Sequence, residues 1–304
     1  MDRQKVLAIV GPTGIGKTSL SVWLAKQLDG EIISCDSMQV YKKMDIGTAK
    51  VTQEEMQGIH HELIDVQNYN EPYNVKVFQE KCRTAIEDVV KRGKFPILCG
   101  GTGLYLKAAL YDYEFQEENE DIAHTTFLNS KTNEELVAML KEKDEKALEK
   151  IHPNNRKRLI RALQICHSGT SKSEQEDKQQ HIPLYDVYFL GLDVNREILH
   201  DRINKRVDIM FENGLVKEVE DLFTNPETWE YTSFQGIGYK EFKDYFLKEK
   251  SIDEVKTAIK THSRQYAKRQ YTWFKNQMPV HWFEAQNRDE IYSAVKEWLM
   301  DEDK

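Results

Sequence analysis

The sequence contains no apolar run long enough to cross a lipid bilayer. Its longest apolar stretches, such as Val6 to Val10 and Phe95 to Cys99, have the length of a single buried strand. The N-terminus also lacks the succession of basic, apolar and small residues that marks a secretory signal. From these absences we expect a cytoplasmic protein without a membrane segment.

Cysteine is scarce, and an excess of positive charge is missing. The four cysteines, Cys35, Cys82, Cys99 and Cys166, are spaced too widely for a CxxC zinc or redox pair, so we expect reduced, packed thiols without a chemical role. The formal net charge is -8, whereas a nucleic-acid backbone attracts lysine and arginine. A nucleic-acid binder with this composition would need local basic patches.

Apolar segments of strand length alternate with segments of helical periodicity. The 304 residues leave room for one sizeable α/β domain and a smaller accessory domain. Strands are predicted at Val6 to Val10, Glu31 to Asp36, Phe95 to Cys99 and Leu184 to Val194. Helices are predicted at Ser19 to Leu28, Asn74 to Arg92 and Glu197 to Asn213. This alternation is typical of a parallel sheet with helices on both faces, in which ligands bind at the carboxyl ends of the strands.

The first predicted strand runs directly into a glycine-rich segment that fits G-x-x-x-x-G-K-[ST]. The segment consists of Gly11, Pro12, Thr13, Gly14, Ile15, Gly16, Lys17 and Thr18. Glycines allow backbone N–H groups to face a diphosphate, the helix N-terminus and Lys17 add positive charge, and the Thr18 hydroxyl can bind Mg²⁺. We therefore predict a P-loop NTPase-like α/β fold with a diphosphate site. The motif alone does not separate ATP from another diphosphate.

The alternating pattern breaks after Tyr113, where an acidic stretch leads into short helical segments and a polar run. Strand character returns at Leu184. We interpret the interruption as a small helical domain inserted into the core. Residues 1–113 then form the first part of the P-loop core, residues 114–183 the insertion, and residues 184–304 the second part of the core with basic C-terminal helices.

Two further strand ends carry candidate site residues. Asp36 ends the second predicted strand and is a candidate general base, although a carboxylate there can also cap a helix or hold Mg²⁺ through water. The third strand ends in Gly100-Gly101-Thr102-Gly103, without the acidic residue that binds magnesium in many P-loop NTPases, which disfavours an ATPase. Thr102 can donate a hydrogen bond to a ligand or cap the helix that follows.

Four segments together resemble the tRNA dimethylallyltransferase family. They are GPTGIGKT from Gly11, DSMQVYKKMDIGTAK from Asp36, GGTGLY from Gly100 and HPNNRKRLIRAL from His152. Further matches are RINKR from Arg202, QGIGYK from Gln235 and KRQYTWF from Lys268, so the similarity covers most of residues 5 to 285. The sequence departs from the family at Val51, where proline is frequent, and over the acidic residues 114–130.

The resemblance implies transfer of a dimethylallyl group from dimethylallyl diphosphate to N6 of adenosine 37, beside the anticodon of tRNA, giving N6-dimethylallyladenosine and diphosphate. It implies that Asp36 takes the N6 proton, that Thr102 hydrogen-bonds the bridging diphosphate oxygen, and that Arg206 stabilises the departing pyrophosphate together with Mg²⁺ on Thr18. An adenine stacked in the anticodon loop has to be extruded first. The resemblance places the Ser37-Met38-Gln39 turn against the extruded base.

Two arginines compete for the role beside the pyrophosphate. Arg202 and Arg206 are four residues apart and share one helix face. One of them can instead pair with a carboxylate of a neighbouring turn, such as Asp201 or Glu197. The resemblance favours Arg206.

Two stretches without acidic residues are candidates for the local basic patches. In Val255 to Phe283, Lys256, Lys260, Arg264 and Lys268 recur every fourth position, which predicts one positive helical stripe with aromatic residues beside it. Ile151 to Ser173 is the second stretch, and each patch could also be an ordinary solvated face. The predicted tRNA contacts are Asp36, Ser37, Met38, Gln39, Thr102, Lys157, Arg158, Arg161, Gln235, Gly238, Tyr239, Lys240, Lys268, Arg269, Trp273 and Lys275.

Three other functions share some of these features. Prenyl transfer to free adenine nucleotides would need no basic patches, an ATP-dependent kinase of a small metabolite would share the phosphate loop, and a non-catalytic RNA-binding module would not need Asp36. The tRNA enzyme is the hypothesis that uses all the motifs. Its expected partners are the anticodon stem-loop of tRNA and dimethylallyl diphosphate, its expected cofactor is Mg²⁺, and we expect a monomer.

Overall fold

A computed structural model describes residues 3–115, 121–174 and 180–301, so parts of the acidic and polar runs, residues 116–120 and 175–179, lie outside the described residues. The strands are β1 (Lys5–Val10), β2 (Gly30–Ser34), β3 (His61–Glu62), β4 (Phe95–Gly100), β5 (Asp186–Asp193) and β6 (His281–Glu284). The helices are α1 (Lys17–Leu28), α2 (Gln53–Met56), α3 (Val75–Lys91), α4 (Gly103–Leu110), α5 (Ile122–Asn129), α6 (Asn133–Asp144), α7 (Arg156–His167), α8 (Arg196–Glu212), α9 (Leu215–Leu222), α10 (Phe242–Phe246), α11 (Ile252–Gln277) and α12 (Arg288–Met300).

The strands form one sheet in the order β3-β2-β4-β1-β5-β6, and every pairing is parallel. The α/β parallel sheet predicted from the sequence is confirmed. Val6–Val10 of β1 are fully buried, because helices cover both faces of a parallel sheet, and this explains the continuous apolar run. β3 and β6 were not predicted, since β3 has only two residues and the ends of β6, His281 and Glu284, are polar and exposed.

The helices begin and end at local signals in the sequence. Asn74 caps α3 because its side chain accepts a hydrogen bond from the Val77 N–H at 3.0 Å. The helix ends before Gly93, which has a φ of 74° that favours glycine. One face of α3, including Phe78 and Ile86, is buried in the core. Among the helices of the described residues, none combines the length and apolarity that a membrane span requires.

The sheet brings three sequence-distant loops to one edge. In the parallel register Ile9 of β1 lies opposite Cys99 of β4, and Ser34 of β2 lies opposite the same Cys99. The loops that follow these three strands, beginning at Gly11, Cys35 and Gly101, therefore start side by side. This is the edge at which ligands of parallel sheets bind.

The chain forms two compact units. One comprises Met1–Tyr111 and Pro183–Lys304, and the other is Asp112–Ile182, close to the insertion that the sequence suggested at 114–183. The smaller unit has its own apolar core from α5, α6 and α7, to which Leu128, Leu140 and Leu159 contribute fully buried side chains. In the larger unit the chain leaves and returns at one point, where Tyr111 and Pro183 form an antiparallel bridge.

Candidate active site

The phosphate loop connects β1 to α1 in an open turn that glycines make possible. Gly11, Gly14 and Gly16 have φ values of 142°, 78° and 107°, in the left-handed region that favours glycine. A Cβ at Gly14 would also lie 3.1 Å from the Ile203 side chain of α8. Because Gly14 has no side chain, the loop can pack closely against Ile203 of α8.

Lys17 folds back onto its own loop. Its Nζ donates hydrogen bonds to the carbonyl oxygens of Gly11 at 3.0 Å and Pro12 at 2.8 Å. Desolvation lowers the pKa of Lys17 to about 8, and the nearby Arg206 charge acts in the same direction, while Asp36 opposes it. Within the described residues Lys17 has no carboxylate at ion-pair distance, so its charge suits an anionic ligand.

Both candidate arginines of α8 reach the phosphate loop. Arg206 donates from Nη1 to the Thr13 hydroxyl at 3.3 Å and from Nη2 to the Ala49 carbonyl at 3.2 Å. Arg202 donates to the Ile15 carbonyl at 3.4 Å. Desolvation lowers the pKa of Arg206, and no described carboxylate pairs with it directly. Arg206 therefore contributes a second unpaired positive charge beside Lys17.

Asp36 lies in a tight turn after β2. Its Oδ1 accepts hydrogen bonds from the backbone N–H groups of Met38 at 2.8 Å and Gln39 at 3.3 Å. Asp36 therefore caps a turn and not a helix, and this contact uses one carboxylate oxygen. Asp36 is also close enough to Lys17 and Arg206 to raise the pKa of each by its charge.

Thr102 joins this turn to the loop after β4. Its hydroxyl oxygen accepts a hydrogen bond from the Ser37 N–H at 3.3 Å, and it makes no side-chain cap of α4. The capping alternative for Thr102 is therefore not what the structure shows. The hydroxyl also contacts Tyr266, whose pKa desolvation raises to about 12.

Met38 and Gln39 are already engaged in this structure. The Gln39 amide donates to the Ala49 carbonyl at 3.2 Å and accepts from the Ser34 hydroxyl at 3.3 Å. Met38 packs on Gly236, where a Cβ would lie 2.4 Å from its methyl group. Pairing of Gln39 with an adenine edge requires its amide to exchange these partners.

Gln270 was missed from the sequence, although it links two of the site loops. Its side-chain oxygen accepts from the Thr13 N–H at 2.9 Å, and its amide donates to the Gly101 carbonyl at 2.9 Å. The residue is 6% exposed, on the buried face of α11. A polar residue among the apolar positions of that face was the available signal.

A groove of about 530 Å³ follows the outer face of α11. Its lining residues are Gln265, Lys268, Arg269, Thr272, Trp273, Asn276 and Gln277. The Trp273 ring lies against Gly103, where a Cβ would be 2.0 Å from it, so the groove adjoins the loop of Thr102. Three of the predicted tRNA contacts, Lys268, Arg269 and Trp273, are thus brought together.

The expectation of one continuous basic stripe along α11 is wrong. Lys256 and Lys260 both pair with Asp208 of α8, each at 2.7 Å, and Arg264 donates to Asn204 of α8 at 2.5 Å. Asp208, the carboxylate that neutralises Lys256 and Lys260 in the N-terminal part of α11, therefore comes from a neighbouring helix. Further along, the Lys275 ammonium lies 4.7 Å above the Tyr271 ring and is not among the groove residues.

The Gln235 to Lys240 segment divides between surface and core. Gln235 and Lys240 are exposed, and the Gln235 amide donates to the Trp229 carbonyl at 2.7 Å. Gly238 is buried with a φ of 100°, and its N–H donates to Glu241. Tyr239 is fully buried and its hydroxyl donates to Glu218 at 2.7 Å, so this side chain offers no surface to RNA.

The other basic stretch lies in the smaller unit. Lys157, Arg158 and Arg161 are exposed on α7. Arg156 at the start of the same helix instead donates to the Asn133 side chain at 3.1 Å and to the Asn129 carbonyl at 2.8 Å. Arg156 therefore stabilises the smaller unit through these contacts.

The comparison with known sequences gives one consistent result. The model of the IPP transferase family matches residues 39–277. A tRNA dimethylallyltransferase of Bacillus anthracis is 49% identical over 301 residues, covering 97% of this chain and 96% of the relative. Another of Bacillus cereus is 48% identical over the same length.

Solved structures agree with the sequence relatives. The tRNA isopentenylpyrophosphate transferase of Bacillus halodurans superposes with a TM-score of 0.75 at 41% identity, covering 98% of this chain and 97% of the other. A eukaryotic dimethylallyltransferase acting on tRNA gives a TM-score of 0.81 at 32% identity, covering 98% of this chain and 78% of the other. The chain thus belongs to the IPP transferase family, that of the tRNA dimethylallyltransferases.

Proposed function

We propose that this protein transfers the dimethylallyl group of dimethylallyl diphosphate to N6 of adenosine 37 in tRNA. The family relationship supports the reaction class. The observation that carries the proposal is the juxtaposition, at one sheet edge, of a carboxylate with two cations that lack a carboxylate partner within the described residues. These are Asp36, Lys17 and Arg206.

In this reaction N6 attacks the first carbon of the dimethylallyl group, and the bond from that carbon to the bridging oxygen breaks. The N6 proton passes to Asp36, whose Oδ1 is fixed by two backbone N–H groups. Pyrophosphate leaves with the electron pair of the broken bond, and its added charge is stabilised by Lys17 and Arg206. In this proposal the Thr102 hydroxyl, whose oxygen accepts a hydrogen bond from the Ser37 N–H, donates its proton to the bridging oxygen.

The phosphate loop also suits Mg²⁺. Thr18 is exposed at the first turn of α1, and its hydroxyl makes no hydrogen bond within the described residues. Mg²⁺ prefers oxygen ligands and keeps several waters, so one threonine hydroxyl and the diphosphate oxygens meet its requirements. Bound there, Mg²⁺ would neutralise part of the diphosphate charge.

The tRNA contacts that we propose are of two kinds, described for each unit by itself. In the groove, Trp273 offers a ring to an unstacked base, and Lys268 and Arg269 offer charge to the backbone. Lys157, Arg158 and Arg161 of α7 present further charge in the smaller unit. Gln235, Lys240 and Met38 are proposed contacts near the extruded adenine. The groove favours an RNA acceptor over a free nucleotide.

The test is transfer of labelled dimethylallyl diphosphate to unmodified tRNA, with AMP as competitor. We expect incorporation into tRNA that a large excess of AMP does not suppress. Asp36→Asn keeps an oxygen for the N–H groups of Met38 and Gln39 but removes the base. We expect it to lower kcat by about 10²- to 10⁴-fold.

The binding control separates catalysis from recognition. The affinity of Asp36→Asn for the anticodon stem-loop should stay within about threefold of wild type, since the phosphate contacts are untouched. Absence of incorporation with a competent tRNA would refute the proposal. Full activity of Asp36→Asn would be consistent with the transfer reaction but would show that Asp36 is not its base.

A further inference from the structure

Glu218 of α9 makes an unusually complete set of hydrogen bonds to a loop of the site. Its Oε2 accepts from the backbone N–H groups of Asp45 at 2.8 Å and Ile46 at 2.7 Å. Its Oε1 accepts from the Gly47 N–H at 3.0 Å and from the Tyr239 hydroxyl at 2.7 Å. Three consecutive N–H groups thus bind one carboxylate, which is the geometry of a backbone anion nest.

The residues around this carboxylate are shaped for it. A Cβ at Gly47 would lie 2.5 Å from the Tyr239 ring, so only glycine lets the ring pass to Glu218. Burial, followed by the Glu218 charge, raises the pKa of Tyr239 well above its ordinary value, so the hydroxyl remains a donor. The sequence segments DIGTAK and QGIGYK therefore meet at Glu218.

The loop from Met44 to Ala49 carries the effect of this contact to the site. It is closed by hydrogen bonds from the Ala49 N–H to the Ile46 carbonyl at 2.9 Å and from the Thr48 hydroxyl to the Met44 carbonyl at 2.6 Å. Ala49 has a φ of 45°, which is costly for alanine and persists only where the surroundings enforce it.

The Ala49 carbonyl holds two of the proposed site residues at once. It accepts from the Gln39 amide at 3.2 Å and from Nη2 of Arg206 at 3.2 Å. One side of the loop therefore rests on Glu218, and the other fixes the amide proposed for the adenine and the guanidinium proposed for the pyrophosphate. A shift of the loop would move both.

We propose that Glu218 is a positioning residue that aims Arg206 at the departing pyrophosphate through the Met44 to Ala49 loop. The inference rests on the proposed function, since it takes Arg206 as the group that holds pyrophosphate. Glu218 itself touches neither substrate. Tyr239 supports the same carboxylate from the opposite side.

The experiment is a double-mutant cycle with binding of magnesium pyrophosphate, measured by calorimetry, as the readout. Glu218→Gln puts an amide NH₂ where backbone N–H groups require an acceptor, and we expect binding to weaken about tenfold. Arg206→Gln should weaken it at least as much. Because Glu218 acts through Arg206, the double variant should bind no more than about twofold worse than Arg206→Gln alone.

Two control variants test whether the effect of Glu218→Gln comes from its contacts with the Met44 to Ala49 loop and not from a general loss of charge or stability. Glu220→Gln removes the same charge from an exposed position two residues along α9 and should bind like wild type. Tyr239→Phe deletes one of the four hydrogen bonds and should weaken binding about threefold, again without a further effect in the Arg206→Gln background. It tests the proposal even if Glu218→Gln fails to fold.

The outcomes are distinct. Unchanged pyrophosphate affinity in both variants, or effects that multiply with that of Arg206→Gln, would overturn the positioning role. Non-additive effects in a protein that transfers nothing to tRNA would support the positioning role and refute the proposed function. If the wild-type protein transfers the dimethylallyl group to tRNA, but the effects of the variants on pyrophosphate affinity multiply with that of Arg206→Gln, the proposed function is supported and the positioning role is refuted.

Discussion

The ammonium of Lys17 is bound by two carbonyl oxygens of its own loop, and desolvation lowers its pKa to about 8. A bound diphosphate supplies negative charge and therefore raises this pKa toward its ordinary value. Since the bound state then holds its proton more tightly than the free state, diphosphate affinity should fall as the pH rises above about 8.

This pH dependence can be measured as proton uptake. Calorimetry of magnesium pyrophosphate binding at pH 8, in buffers of different ionisation enthalpy, should show uptake of roughly half a proton that depends on Lys17. Pyrophosphate titrates in the same range, so Lys17→Met supplies the reference. Equal uptake by the wild type and Lys17→Met would contradict the assignment.

At this scale the sequence identifies the residues that belong to contiguous motifs. Lys17 and Thr18 follow from the phosphate-loop pattern, and the roles of Asp36, Thr102 and Arg206 follow from the resemblance. The backbone partners of Gln270 and Glu218 could not be predicted, because they lie more than 150 residues away in the chain. Side-chain spacing carries no information about such backbone partners.

The helix α11 connects the phosphate loop to the loop after β4 through Gln270. Gln270→Leu would leave the Thr13 N–H and the Gly101 carbonyl without partners in a poorly solvated region. We expect a loss of about 2 to 3 kcal/mol in the free energy of unfolding, measured by urea denaturation. Gln265→Leu, on the exposed face of the same helix, is the matched control and should change stability by less than about 0.5 kcal/mol.

The uneven charge along α11 gives a second prediction for this element. Lys268 and Arg269 line the open groove, whereas Lys256 is paired with Asp208. Lys268→Gln and Arg269→Gln should each reduce the slope of log K against log salt for tRNA binding by about 0.7 to 0.9. Lys256→Gln should leave the slope unchanged. An equal reduction in all three variants would contradict this prediction and support tRNA binding along the whole basic stripe.

Helical periodicity identified which residues share a face of α11, but not what that face meets. The stripe of Lys256, Lys260 and Arg264 packs against α8, where Asp208 and Asn204 compensate it. Likewise β1 and β4 were predictable because they are buried on both faces. β3 and β6 are short strands at the sheet edges, where pairing with the neighbouring strand decides their structure.

At the scale of the whole molecule, the chain leaves the larger unit after Tyr111 and re-enters it at Pro183. Tyr111 and Pro183 form a bridge, and the Leu184 N–H donates to the Leu110 carbonyl at 2.9 Å. A change of composition in the sequence predicted an insertion at residues 114–183, and the smaller unit spans Asp112–Ile182. The composition could not indicate that Tyr111 and Pro183 pair with each other where the chain leaves and re-enters the larger unit.

This arrangement predicts that the larger unit folds alone. Replacing residues 112–182 by a short glycine-serine linker should preserve cooperative unfolding and magnesium pyrophosphate affinity to within about threefold. Affinity for tRNA should fall at least tenfold, because Lys157, Arg158 and Arg161 are removed. A core that no longer binds pyrophosphate, or that binds tRNA as before, would contradict the division of roles.

The central claim is that the phosphate loop holds the prenyl donor while Asp36 faces the acceptor. The most direct measurement is a crystal structure with Mg²⁺ and a dimethylallyl diphosphate analogue that has sulfur in place of the bridging oxygen. We predict that Lys17 Nζ has left the carbonyls of Gly11 and Pro12 for the diphosphate, with Arg206 on its terminal phosphate and Thr102 beside the sulfur. Diphosphate bound elsewhere, with Lys17 still on its own loop, would contradict the account.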